Sequence, residues 1–305
     1  MKIALVGAGA IGCLFGARLQ ASEHSVILVN NNPLAVAAMR KNGVRVREPS
    51  GKIIRTRPKV ELRLKSEDGP DLVLLTVKSY DTEVAGRSLQ KVRGINEVLS
   101  IQNGLGNFET LSKFFPPESI LAGTTTEAAF QEGYGRVFHT GKGVTRIGEF
   151  RGRHTKRCRE ISDIIRSAGF DIKISGNMER VIWSKAIVNS AINPITAIAR
   201  VSNGEIVRNS NLLEVALEVL KEGIEVASSQ GVVPTPSPIS FFKNIVSISK
   251  KNQSSMLQDI ENGKRTEIRE LNSSISSAGR NKGVDTPYTS ALGELVLSLE
   301  TSSQR

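Results

Sequence analysis

Cysteine is nearly absent from this 305-residue chain, with two in all. Cys13 and Cys158 lie too far apart for a metal-ligand pair and are too few for a disulfide framework, so neither device holds the fold and no metal site is expected. Free thiols suit a reducing compartment, and a cytoplasmic location is the expectation. Long apolar runs are missing too: none reaches the roughly 18 residues that a membrane span needs. The short apolar run at the N-terminus leads directly into a glycine turn, so it is read as the first strand of a sheet and not as a signal peptide. Aromatic residues make up 5% of the chain, and the densest basic stretch, Arg151 to Arg159, holds no Phe, Trp or Tyr on which a base could stack. That stretch reads as a solvated loop and helix start. The net charge of +11, from 41 Lys and Arg against 30 Asp and Glu, is therefore assigned to attracting an anionic substrate and cofactor, with no nucleic-acid or membrane partner. Internal repeats are absent, and only the last residues, TSSQR, read as disordered.

What is present begins with MKIALVGAGAIGCLFGARLQ, in which an apolar run, Ile3 to Val6, passes into Gly7, Gly9 and Gly12 and then into a helical pattern. This strand, turn and helix order is the context a dinucleotide-binding turn requires. The first glycine permits the tight turn, the second lets backbone approach a pyrophosphate, and the third lets helix pack on strand. Gly7, Ala8, Gly9, Ala10, Ile11 and Gly12 are thus cofactor-binding candidates, with phosphate at the helix N-terminus. A second strand, Val26 to Val29, should end on the residue that reads the adenosine ribose. Asn30, Asn31 and Asn32 stand there. The acidic residue that would hold a 2′-hydroxyl and repel a 2′-phosphate is missing, so NADP(H) is favoured through Asn31 and NAD(H) is not excluded.

With 305 residues and 39% hydrophobic content the chain can build two cores. Strand-like runs recur at Leu72 to Val77, Val98 to Ile101, Ile120 to Gly123 and Val144 to Ile147, separated by helical or turn-rich segments, as in a doubly wound α/β sheet. A last unit, with a helix over Arg157 to Ala168 and a strand over Asp171 to Ile174, closes that domain near Gly176. From Met178 onward the apolar residues follow helical period, and Val232 to Pro238 is the one marked interruption. The expectation is a Rossmann-like α/β domain over 1–175 and an all-α substrate domain over 176–305.

Lys78 and Asn103 sit at strand ends, where ligands of open α/β sheets bind. Lys78 either meets cofactor phosphate or ribose or merely ends a strand at the surface. Asn103, before Gly104, either occupies an ordinary turn or bridges nicotinamide ribose and substrate. In the helical half, WSKAIVNSAINPIT places Lys185, Asn189 and Asn193 at steps of four on an otherwise apolar helix. They share one narrow strip, which reads as either substrate-facing or solvated. A buried lysine needs compensation, so Lys185 should face a polar partner. Ser255, Asp259, Gly263 and Glu267 also step by four along an expected helix, although Asn262 and Gly263 together also read as a break. Glu267 is the functional candidate among them.

Taken together, the sequence resembles the ketopantoate reductase family, also called 2-dehydropantoate 2-reductases, over essentially its whole length. GAGAIG, TVKS around Lys78, QNGLGN around Asn103, GTTTEAA near Ala128, WSKAIVNSAINPITA, SNGE at Asn203 and SSMLQDIENGKRTEI carry the match. The resemblance implies a C-terminal helical domain like that of 6-phosphogluconate dehydrogenase. It also implies reduction of a small 2-keto acid, 2-dehydropantoate, to (R)-pantoate by NADPH, on the way to pantothenate and coenzyme A. Position by position it makes Lys185 the general acid and Glu267 the acid that orients substrate and cofactor. Asn103, Asn189, Asn193, Asn203 and Ser255 match substrate-binding positions, while Lys78, Asn103, Ala128 and Glu267 match cofactor-binding ones. Two departures stand out. Asn30 to Asn32 replace the arginine that many NADPH-dependent members carry, and Ser273 follows Asn272 where members commonly have glycine. The rival readings are another 2-keto acid or 3-hydroxy acid dehydrogenase on the same plan and a non-catalytic dinucleotide-binding protein; a homodimer is left open.

Overall fold

The computed structural model describes residues 1–152 and 155–302; residues 153 and 154, inside the basic stretch, and residues 303–305, inside the C-terminal TSSQR, lie outside the description. Two compact units divide the chain: one holds 1–102 and 106–178, the other 103–105 and 179–305.

The first unit opens with β1 (Lys2–Val6), α1 (Ala10–Ala21), β2 (Ser25–Val29), α2 (Pro33–Asn42), β3 (Val44–Arg47), β4 (Ile53–Thr56), β5 (Lys59–Glu61) and β6 (Leu72–Leu75). It continues through α3 (Thr82–Leu89), β7 (Glu97–Ser100), α4 (Asn107–Leu111), β8 (Ile120–Thr125), β9 (Ala128–Gly133), β10 (Arg136–Gly141), β11 (Val144–Gly148), α5 (Lys156–Ser167) and β12 (Asp171–Ile174). Eight strands form one sheet in the order β12-β11-β8-β7-β6-β1-β2-β5. The six from β8 to β5 are mutually parallel, while β11 runs antiparallel to β8 and parallel to β12. Strand order reverses between β1 and β6, and that is the point at which an open α/β sheet leaves a crevice beyond its strand ends. Alternate residues of β1 serve opposite faces: Ile3 and Leu5 pack with α1 and α5, Ala4 and Val6 with α3 and α4.

A second sheet, β4-β3-β10-β9, was not expected. Segments 44–56 and 128–141, read as helical or turn-rich, are strands. They are four to six residues long, too short for periodicity to separate from loop. This sheet covers the outer side of α1. Helix α1 is therefore enclosed between two sheets, which explains why Cys13, Leu14, Phe15, Ala17, Arg18 and Leu19 are all buried.

The second unit is helical: α6 (Met178–Ala199), α7 (Glu205–Arg208), α8 (Ser210–Ser229), α9 (Pro238–Ile248), α10 (Ser255–Glu261), a π-helical turn over Arg269–Ser273, α11 (Ser274–Arg280) and α12 (Pro287–Ser302). The chain turns between α8 and α9 at Val232 to Pro238, as expected. It also turns before α7, between α9 and α10, after Glu261 and before α12, so Val232 to Pro238 is one interruption among several. Helix α12 continues through Thr301 and Ser302, which corrects the expectation of disorder for those two residues. No helix among the described residues is long and apolar enough to cross a membrane, and no group of three or more His, Cys, Asp or Glu among them is placed to hold a metal ion.

Candidate active site

Within the first unit, the three glycines of the β1–α1 turn are required for different reasons. Gly7 has φ +112°, and a Cβ there would lie 2.3 Å from the Val77 amide nitrogen; a Cβ at Gly12 would lie 2.2 Å from the Gly7 oxygen. Packing alone demands both. A Cβ at Gly9 would meet nothing within 4 Å, so the protein itself leaves open space over the N-terminus of α1, which no side chain caps. A helix start with uncapped N–H groups and open space beside Gly9 suits a pyrophosphate, and the residues present fit a dinucleotide. Ala8, Ala10 and Ile11 complete the turn: the Gly7 and Ala8 amides donate to the Val29 carbonyl at 3.0 and 2.9 Å.

The asparagine run divides its duties. Asn30 donates through Nδ2 to the Ala8 carbonyl (3.0 Å) and accepts from the Asn32 amide (2.9 Å), bracing the glycine turn against the end of β2. Asn32 caps α2 by accepting from the Leu34 and Ala35 amides, ahead of Pro33. Asn31 remains exposed. Arg40 is committed elsewhere, donating to the Val60 carbonyl at 2.7 Å and to Glu61 at 2.6 Å. Lys78 precedes a 3-10 turn, Ser79–Asp81, at the end of β6. Sequence reasoning missed the residue that braces this loop: buried Gln102 donates through Nε2 to the Val77 carbonyl (3.0 Å) and accepts from the Ser100 hydroxyl (2.9 Å).

Ala128 opens β9 beside a buried ionic cluster that was also missed. His139, fully buried, sits between Glu48 (Nδ1 to Oε2, 2.8 Å) and Glu127 (Nε2 to Oε2, 2.5 Å). Arg18 donates to both oxygens of Glu48 at 2.7 and 2.8 Å. Burial alone would lower the imidazole, yet its hydrogen bonds to Glu127 and Glu48 outweigh that and hold its pKa above the ordinary value. Burial likewise opposes the charge of Glu48, and the bonds from His139 and Arg18 prevail, so its pKa is lowered. With His139 protonated, its 3.2 Å approach to the Arg18 guanidinium joins two donors on one carboxylate and is not a bond between them.

Within the second unit, α6 carries the polar strip. Lys185 and Asn189 are half-buried and Asn193 is buried, while Ala186, Ile187 and Ala191 pack into cores. Desolvation lowers the Lys185 pKa to about 8, against the charge of Glu267, which raises it. The lysine therefore has the carboxylate partner that its burial demands. Glu267 is buried and accepts from Asn103 Nδ2 at 3.2 Å.

The turn that presents Asn103 is tightly set. Gly104 has φ +80°, and a Cβ there would lie 2.8 Å from the Glu270 oxygen; the Leu105 amide donates to that same carbonyl at 2.9 Å. Glu267 does not share a helix with Ser255 and Asp259. Helix α10 ends at Glu261, Asn262 and Gly263 turn the chain, and Glu267 lies just ahead of the π-helical turn. The break prevails because Gly263 adopts a left-handed conformation that ends the helix. The Glu267 segment is instead held by Glu300 of α12, which accepts from the Thr266 amide (2.7 Å) and hydroxyl (2.6 Å). Ser255 is exposed at the start of α10. Its neighbour Ser254 caps that helix and accepts from Thr196 of α6 at 2.7 Å. Asn203, buried, donates to the Ser249 hydroxyl at 2.9 Å while its Oδ1 has no partner among the described residues.

A mostly parallel sheet with a glycine turn at its switch point, joined to a helical unit that desolvates one lysine beside one carboxylate, is the make-up of a dinucleotide-dependent oxidoreductase. The profile of the ketopantoate reductase family (PanE/ApbA) matches residues 3–152, and that of its C-terminal domain matches 177–300. A 2-dehydropantoate 2-reductase of Archaeoglobus fulgidus is 39% identical over 98% of both chains, and one of Pyrococcus abyssi is 36% identical over the same shares. Among solved structures, a ketopantoate reductase from Ralstonia eutropha superposes with TM-score 0.89 at 31% identity over all of both chains. A D-mandelate dehydrogenase with NADH and anilino(oxo)acetate superposes with TM-score 0.94 at 29% identity, over 100% of this chain and 99% of that one. The chain belongs to the ketopantoate reductase family.

Proposed function

We propose that this protein reduces 2-dehydropantoate to (R)-pantoate, with residues 1–175 binding NADPH in preference to NADH and residues 176–305 binding the keto acid. The observation that carries the reading is Lys185: an ammonium with a pKa lowered to about 8, beside a buried carboxylate, on a strip with two carboxamides. Bound dinucleotide supplies a hydride to the keto carbon. As the carbonyl electron pair moves onto oxygen, Lys185 gives that oxygen a proton and offsets its growing negative charge. Glu267 keeps the lysine charged until then, and its hydrogen bond to Asn103 orients a carboxamide that both cofactor ribose and substrate can use. Asn189, Asn193, Asn203 and Ser255 supply donors for the substrate carboxylate and hydroxyl. Gly7 to Gly12, Lys78 and Ala128 hold the dinucleotide, and exposed Asn31 accepts a 2′-phosphate that an acidic side chain would repel.

Lys185→Ala tests the assignment. Turnover is expected to fall by about three orders of magnitude or more, with dinucleotide affinity unchanged within about twofold, because the group acts in the transition state. Undiminished turnover rejects the role. Asn31→Asp is expected to move the ratio of catalytic efficiencies from NADPH toward NADH; a constant ratio rejects Asn31 as the reader of the 2′-position.

A further inference from the structure

Helix α6 runs unbroken from Met178 to Ala199 although Pro194 lies inside it. Proline has no amide hydrogen, so the carbonyl four residues earlier, that of Ser190, loses the partner a regular helix would supply. A side chain 82 positions further along takes that place. Asn272 Nδ2 donates to the Ser190 carbonyl at 3.2 Å and to the Thr289 carbonyl of α12, also at 3.2 Å.

The location of this carboxamide ties it to the strip. Asn189 precedes the orphaned carbonyl and Asn193 follows it, so any hinge at the proline would fall between the two candidate substrate carboxamides. Asn272 itself lies in the π-helical turn that follows Glu267, and the Glu270 carbonyl in that turn receives the Leu105 amide next to Gly104. The side chain is fully buried, and its Oδ1 has no partner among the described residues. A buried amide with one end unsatisfied is costly, and leucine of similar shape would avoid that cost but leave the Ser190 and Thr289 carbonyls without this partner. What leucine lacks is the donor.

We infer that Asn272 is a positioning residue: it replaces the hydrogen bond that Pro194 removes and so fixes Lys185, Asn189 and Asn193 against Glu267 and Asn103. The inference rests on the strip being the substrate-binding surface. The helix's shape at the proline, and with it the placing of the carboxamides on either side, is thus held by a side chain from the segment that follows Glu267.

The test is a double-mutant cycle, because Pro194→Ala returns the missing N–H to the helix. Asn272→Leu is expected to lower kcat/KM for 2-dehydropantoate about tenfold or more, mainly through kcat, with the dissociation constant for NADPH unchanged within about twofold. P194A/N272L is expected to recover at least half of that loss on a logarithmic scale, since the restored backbone amide can bond the Ser190 carbonyl directly. Thermal melting of the same proteins reads the hydrogen bond without activity, and the loss caused by N272L is expected to be smaller in the P194A background. Should N272L not fold, P194A/N272L is expected to fold and turn over. Wild-type activity in N272L overturns the inference, as does an absence of rescue in both kinetics and melting. If the wild-type protein reduces no 2-dehydropantoate, the functional reading fails by itself, and the melting cycle alone decides the pairing: additive losses contradict it.

Discussion

Lys185 is charged at neutral pH although its surroundings favour the neutral amine, with a pKa lowered to about 8 by desolvation and raised by Glu267. A proton donor must be protonated to act, so kcat/KM for reduction is expected to be level below about pH 7 and to fall tenfold per pH unit well above 8. Glu267→Gln removes the influence that raises the lysine, and the break is expected at lower pH; a break that stays in place contradicts the coupling. The same burial costs stability. Below pH 8 the folded protein holds a partly desolvated ammonium, and between 8 and the ordinary lysine value of 10.5 the unfolded chain binds the extra proton, so this cost is relieved as pH rises. Lys185→Met is therefore expected to melt a few degrees higher at pH 7 while losing turnover, and a lower melting temperature would contradict it. That Lys185, Asn189 and Asn193 share one helix was legible because steps of four keep one face, but spacing alone did not separate a substrate-facing strip from a solvated one. Glu267 was singled out by a step of four along a helix that Asn262 and Gly263 in fact end, and its role was given only by resemblance. The pairing of Asn272 with Ser190 left no local mark beyond Pro194, because the partner lies 82 residues away.

At the level of elements, the β1–α1 turn separates what the fold needs from what a ligand needs. Gly12→Val is expected to destabilise the protein, because a Cβ there meets the Gly7 oxygen at 2.2 Å. Gly9→Val is expected to leave the melting temperature nearly unchanged and to weaken NADPH binding more than about tenfold; wild-type affinity in Gly9→Val would remove the pyrophosphate from that turn. This turn and the parallel strands around it were readable because apolar runs lead directly into glycine. The four-stranded sheet was not, since strands such as VRVR show alternation over only four residues and gain their burial from α1. That sheet brings the His139 cluster together from β10, the loop after β3 and the loop before β9, with Arg18 from α1. Its contribution has a defined window. The raised His139 pKa gives stability that is full below 6.5 and lost as pH rises through the folded value. The lowered Glu48 pKa gives stability that is full above 4.5 and lost as pH falls through its folded value. His139→Gln is expected to flatten the alkaline part of the melting profile relative to wild type, and parallel profiles would contradict this.

For the whole molecule, the net charge of +11 belongs with a protein whose proposed substrate and cofactor are both anions. KM for the keto acid is expected to rise with ionic strength while kcat stays level; a KM independent of salt would assign the charge another role. Fold class, the β1–α1 turn and the polar strip were legible because each rests on short-range pattern. The polar ties that set the strip's geometry link residues 34 to 164 positions apart, and only the folded chain brings them together. The central claim is a reaction, and oxidation of NADPH or NADH tests it most directly. The loss of near-ultraviolet absorbance by the reduced nicotinamide would be followed with 2-dehydropantoate and, in parallel, with phenylglyoxylate and other 2-keto acids. The account predicts rapid oxidation with 2-dehydropantoate, faster with NADPH than with NADH. Turnover confined to another keto acid, or none at all, would leave the fold intact and contradict the function.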